Sequence, residues 1–97
     1  MQDQPPKAGS ILREAADTID GRAAQRDSEQ ERSMARCVAA FNGLTKHTLT
    51  EEQGWVFMAI LKMARAQNGH RFTMDDYVDG AAYMALAGES AWTPTNT

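Results

Sequence analysis

The sequence predicts a small all-α domain, an antiparallel four-helix bundle completed by self-association. Three observations lead there. Apolar residues recur at helical spacing in four segments, each bracketed by capping residues and glycines. No strand-like alternation of useful length and no internal repeat interrupts them. With 97 residues, 42% of them hydrophobic, the chain can build a core, but a thin one that association would support.

The division is a flexible leader over 1–9, a helical domain over 10–88 and a tail over 89–97. The leader carries Pro5, Pro6 and Gly9 and no apolar period. Ser10 suits the N-cap of a first helix running to Asp20, with Gly21 at its stop. Ile11, Leu12, Ala15, Ala16 and Ile19 form its stripe, opposite Arg13, Glu14, Asp17 and Asp20. Asp27 followed by Gln30 has the form of a capping box, so the second helix is expected to start there. Met34, Cys37, Val38 and Phe41 give its apolar face, and Gly43 its end.

Thr50 with Gln53 three residues on opens the third helix, and Glu51 and Glu52 suit the positive end of its dipole. It is expected to reach Asn68 before Gly69, a span of about 27 Å. Thr73 is expected to cap a fourth helix that begins with Asp75 and Asp76 and closes at Gly88. Trp92, in the tail, either folds back onto the bundle or stands exposed. The short connections suit antiparallel neighbours.

Charge and cysteine content exclude several function classes. The net charge is −3, and residues 50–97 carry the whole deficit, with three basic and six acidic side chains. No basic footprint for duplex nucleic acid is present. Cys37 is the sole cysteine, so no intramolecular disulfide or cysteine-based zinc site exists; on an apolar face it is expected to be buried and inert. His47 and His70 fall in loops, as ordinary surface residues. No stretch approaches the roughly 20 apolar residues of a membrane span. The N-terminus lacks the pattern of a signal peptide, which points to a cytoplasmic protein. Signatures of covalent or P-loop chemistry are absent.

The third and fourth helices each carry a second face. On the third, Val56, Phe57, Ile60, Leu61, Met63 and Ala64 make the expected core side. Trp55, Met58, Ala59 and Ala66 share the other with Lys62 and Arg65. A helix apolar on two sides is either central or buried against a second molecule; with four helices, the second is expected. On the fourth, Met74, Tyr77, Val78, Ala81, Met84 and Ala85 form the expected core face. Asp75, Asp76, Asp79, Ala82, Tyr83 and Leu86 lie opposite. Trp55, Met58, Lys62, Arg65, Asp75 and Tyr83 are therefore candidates for ligand or partner binding. Gly80, Ala81, Ala82, Ala85 and Ala87 keep the fourth helix slim.

Asp76 and Asp79, three apart on one helical face, are a candidate pair of magnesium ligands, since a hard cation gathers several oxygens. The plainer alternative makes Asp75 and Asp76 first-turn dipole residues and pairs Asp79 with Lys62 or Arg65. Glu14 and Asp17 repeat the spacing on the first helix, where they face away from the apolar stripe and read as solvated. Arg22, Arg26, Arg32 and Arg36, interleaved with Asp27, Glu29 and Glu31, read as a mutually neutralised surface.

The run from Ile11 to Glu89, through Ile-Leu-Lys-Met-Ala-Arg and Asp-Asp-Tyr-Val-Asp-Gly-Ala-Ala-Tyr, resembles an uncharacterised family of small phage and prophage helical proteins. The resemblance covers about four fifths of the chain and implies a bacterial cytoplasm as the setting. Asp76-Tyr77-Val78-Asp79, with Tyr83 beyond and Lys62 upstream, more distantly resembles the second magnesium motif of MazG-type all-α nucleotide pyrophosphohydrolases. No Glu-x-x-Glu, the first motif of those enzymes, occurs; Glu14-x-x-Asp17 is the nearest form. The expected function is that of a non-catalytic phage accessory protein. It would bind a host protein or nucleotide-like ligand, in countering host defence or adjusting host metabolism, and would form a homo-oligomer. The alternative is a magnesium-dependent nucleoside triphosphate pyrophosphohydrolase. A transcriptional regulator comes third, because an acidic fourth helix stands where a recognition helix would.

Overall fold

A computed structural model describes residues 5–29, 33–69 and 71–92, the side chains of 22–29 excepted. They form four helices: α1 (Ala8–Glu29), α2 (Ser33–Thr45), α3 (Glu51–Asn68) and α4 (Met74–Ala91). No strand occurs among the described residues. The helices pack in the order α1–α4–α3–α2, so α3 and α4 are central, with α1 against α4 and α2 against α3. The bundle is open: among the described residues the backbones of α1 and α2 each approach a single neighbour, α4 and α3 respectively, although Thr18 and Ile19 of α1 share a small recess with Trp55.

Helix α3 starts as its residues dictate. The Thr50 hydroxyl accepts from Gln53 N at 3.1 Å, and the Gln53 side chain accepts from Thr50 N at 2.9 Å. It stops at Asn68, with Gly69 N–H donating back to Arg65 O at 3.1 Å. Thr73 precedes α4, but its side chain makes no capping bond; its carbonyl accepts from Asp76 N instead.

Elsewhere the helices outrun the expected boundaries. α1 begins at Ala8, so Ser10 lies inside its first turn, and it continues through Gly21 to Glu29. The expected α2 start at Asp27 is thus within α1. The box partner Gln30, Arg32, His70 and the tail beyond Trp92 lie outside the described residues, as do the side chains of Arg22 and Arg26. α2 passes Gly43 and ends at Thr45, and α4 passes Gly88 to Ala91. Gly69 ends α3 in extended backbone, φ −76°; the common glycine stop instead turns left-handed, and no described glycine has positive φ. That role falls to Lys46, φ 61°, after α2.

The buried side chains are small: Ala15, Val38, Ala59, Val78, Ala82 and Ala87, with Leu86 the largest apolar one. Ala15, Val78 and Ala82 join α1 to α4, flanked by Ile11, Ile19, Met74 and Ala81. At the α2–α3 contact a β-carbon on Gly54 would lie 2.5 Å from Met34 Sδ and 2.9 Å from a Val38 methyl. Only glycine admits α2 this closely.

The predicted core face of α3 is reversed. Phe57, Ile60, Leu61, Met63 and Ala64 are exposed, Phe57 by 66%, whereas Ala59, on the supposed second face, is 1% exposed. The reason is distance of approach. Small side chains let helix backbones come together, and α4 has Gly80 and Ala87 on its α3 side. Tyr77, Met84 and Ala85, expected in the core, are likewise exposed on α4, while Ala82 and Leu86 are buried. Cys37 is exposed, not buried: Met34 and Val38 are the α2 side chains pressed against Gly54 of α3, and Cys37 lies at the rim of the open recess beside them.

Candidate functional site

Six of the residues singled out on α3 and α4, all but Met58 and Asp75, meet in the seam between these helices. The antiparallel register brings Trp55 opposite Tyr83, Lys62 opposite Asp79 and Arg65 opposite Asp76. Trp55 and Tyr83 stack with ring centroids 5.9 Å apart and planes at 23°. The next rung is an ion pair, Lys62 Nζ to Asp79 Oδ2 at 3.0 Å, with side chains only 15% and 21% exposed. The third is looser: Arg65 Nε lies 3.4 Å from Asp76 Oδ1. There the guanidinium is 61% exposed while the carboxylate is 8% exposed.

Two polar atoms in this seam are buried without a hydrogen-bond partner, Trp55 Nε1 and Asp76 Oδ1. A buried charged oxygen without a hydrogen bond is costly, so its retention asks for a reason. Asp75, one residue away, points to solvent. Met58 is turned from the seam toward α2, where it joins Met34, Cys37, Val38, Phe41 and Phe57 around a recess of about 270 Å³.

Beside the ladder runs an open groove of about 460 Å³ between α3 and α4. Met63 and Ala66 form one wall, Tyr77, Gly80, Ala81 and Met84 the other, with Lys62 and Asp76 among the lining residues. Gly80 faces α3 here: a β-carbon there would lie in ordinary contact, 3.7 Å from Lys62 Cβ. Phe72 stacks on Tyr77 at 5.5 Å. The small residues at 66, 80 and 81 were the legible trace of this groove, which the sequence reading did not assemble.

The Asp76 and Asp79 carboxylates each already face a cation, and no group of three or more His, Cys, Asp or Glu suited to a metal occurs among the described residues. Glu14 and Asp17 are exposed on α1, and the Glu14 carbonyl accepts from the Thr18 hydroxyl at 2.9 Å. His47 is exposed in the α2–α3 loop, stacked on Phe41 and 2.8 Å from the Thr45 hydroxyl.

A family model described as Domain of unknown function (DUF6378) matches residues 10–91. The chain belongs to this family. In this DUF6378 domain the match takes in α3 and α4 whole, and with them the ladder and the groove. No curated protein and no solved structure matches the chain. Among the described residues, no helix is long and apolar enough to cross a membrane.

Proposed function

We propose that this DUF6378 domain is a non-catalytic accessory protein of phage or prophage, acting in the bacterial cytoplasm by binding a host protein. Countering host defence or adjusting host metabolism is the role such binding would serve. The observation that carries the reading is the α3–α4 groove. Its size falls within the range of binding clefts, its walls are mostly apolar, and two flexible methionines line it. Beside it the charged side chains neutralise one another, an arrangement suited to recognition rather than proton transfer.

A nucleotide-like ligand is the other candidate occupant. It has less support, since a phosphate chain wants cations and both Lys62 and Arg65 are engaged by carboxylates. Pull-down from bacterial lysates is expected to recover a stoichiometric protein, lost on Met84→Lys. An empty result across several hosts counts against the proposal, and recovery of bound nucleotide alone redirects it.

One observation favours the hydrolase reading: the buried Asp76 Oδ1 has no hydrogen bond and only the loose Arg65 contact at 3.4 Å, so a closer cation would satisfy it. Magnesium at Asp76 and Asp79 would first require both ion pairs to open, freeing Lys62 or Arg65 for phosphate. Pyrophosphate release from a nucleoside triphosphate panel, abolished by Asp79→Asn, is what this reading demands. No turnover with magnesium or manganese removes it.

A further inference from the structure

The polar side chains of the α3–α4 groove are unequally committed. Lys62, Gln67 and Asp76, with the Tyr77 hydroxyl, are the polar groups of the residues that line it. The Lys62 ammonium lies 3.0 Å from Asp79, which lines a small recess on the α1 side rather than the groove. Asp76 differs. It is only 8% exposed, and among the described residues its Oδ1 accepts no hydrogen bond. Its cation, Arg65, stands 3.4 Å away on a side chain that is 61% exposed. Arg65 does not line the groove; it belongs to the shallow recess beyond, which Asp76 lines as well. The carboxylate therefore stands between the two, and rotation about its last bond turns an oxygen to either. A buried acceptor without a donor costs stability, and a side chain kept at that cost points to use in binding. Charge points the same way. Residues 50–97 carry six acidic and three basic side chains. With Lys62 and Arg65 each facing an aspartate, the surplus on these helices is negative and draws cations toward them.

We propose that the groove takes a segment of its protein partner in which apolar side chains flank one lysine or arginine, whose head group bonds to Asp76. This deepens the partner-binding reading and rests on it. The apolar anchors lie along Ala66 and against Met63 and Met84, whose flexible thioethers adapt to their shape. The basic head group becomes the closer donor to Asp76, and the Arg65 guanidinium, already mostly exposed, turns to solvent. A charged donor on a carboxylate makes the stronger kind of hydrogen bond. Lys62 is held by Asp79 and offers the incoming cation little opposition. An acidic segment would meet Asp76 as a like charge, and a wholly apolar one would bury it without a donor, so the groove selects against both.

Chemical-shift titration of the isotope-labelled full chain with hexylammonium, hexanol and hexanoate, which share one apolar body, tests it. Hexylammonium is expected to shift the amides of Met63, Gly80 and Met84 and to bind about tenfold more tightly than hexanol. Hexanoate is expected to bind most weakly. Asp76→Asn keeps the groove but is expected to bring hexylammonium within about twofold of hexanol. Asp17→Asn, the same change of charge on the exposed side of α1, is expected to keep the preference. Equal binding of the three probes, no shift at the groove with any of them, or a preference that survives Asp76→Asn overturns the proposal. It fails separately from the reading it rests on. A stoichiometric partner captured equally well by the parent and by Asp76→Asn keeps that reading and removes this one. Selective hexylammonium binding beside an empty pull-down leaves the Asp76 chemistry standing and counts against a protein as the source of the cation.

Discussion

Lys62–Asp79 and Arg65–Asp76 are the same chemistry one turn apart, and burial makes them energetically different. Lys62→Met leaves a mostly buried carboxylate on Asp79 without its charge partner. The expected loss is about 1.5–3 kcal/mol by urea denaturation, recovered in large part when Asp79 is also made apolar. Asp76 behaves otherwise, because its carboxylate is more deeply buried and its Oδ1 has no hydrogen bond. Asp76→Leu is expected to be neutral or stabilising, as for other poorly satisfied buried charges. A loss above about 2 kcal/mol would refute the geometry. The three-residue spacing of the aspartates and the basic residues upstream were legible in sequence. Which neighbour is buried was not. Asp75 and Asp76 differ by 100° around the helix, and only the position of α3 selects between them.

Helix ends divide into those fixed locally and those that are not. Thr50 makes a reciprocal capping box, so Thr50→Ala is expected to cost about 0.5–2 kcal/mol. Thr73 makes no side-chain cap bond, and Thr73→Ala is expected to fall within about 0.5 kcal/mol of the parent. Parallel chemical denaturation of the two variants checks both. The α2–α3 turn is held by Asn42, whose side chain donates to Leu49 O at 3.0 Å and accepts from Leu49 N at 2.9 Å. Beyond it, Gly54 sets how closely α2 can lie. Gly54→Leu is expected to lose about 1–3 kcal/mol as Met34 and Val38 are pushed away. It should also raise hydrogen exchange across α2 more than across α4. Reading Gly21, Gly43 and Gly88 as stops failed for one reason. Glycine permits a left-handed turn but does not impose it, and at about 1 kcal/mol its cost inside a helix is small beside continued hydrogen bonding and packing.

Across the whole molecule, an open array buries alanines and leaves most large apolar side chains outside. A core this thin would gain stability from association. The melting temperature of the full chain is expected to rise with protein concentration, as it does when folded chains bind one another. Scanning calorimetry over a dilution series would detect this. Ala59→Leu, at a position only 1% exposed, is expected to cost about 1–3 kcal/mol at any concentration. Ile60→Ala, its exposed neighbour, is expected to matter only where chains associate. The sequence by itself determined the all-α class, the start and stop of α3 and the opposite charges of the two seam helices. Those rest on spacing and on hydrogen bonds between residues a few positions apart. Only the tertiary structure decided which side of α3 faces inward. Periodicity measures how apolar each side is, whereas packing is won by the side whose small residues let another helix come close. The bundle predicted at the outset is therefore an open one, centred on Ala59 and Gly80 rather than on Phe57 and Ile60.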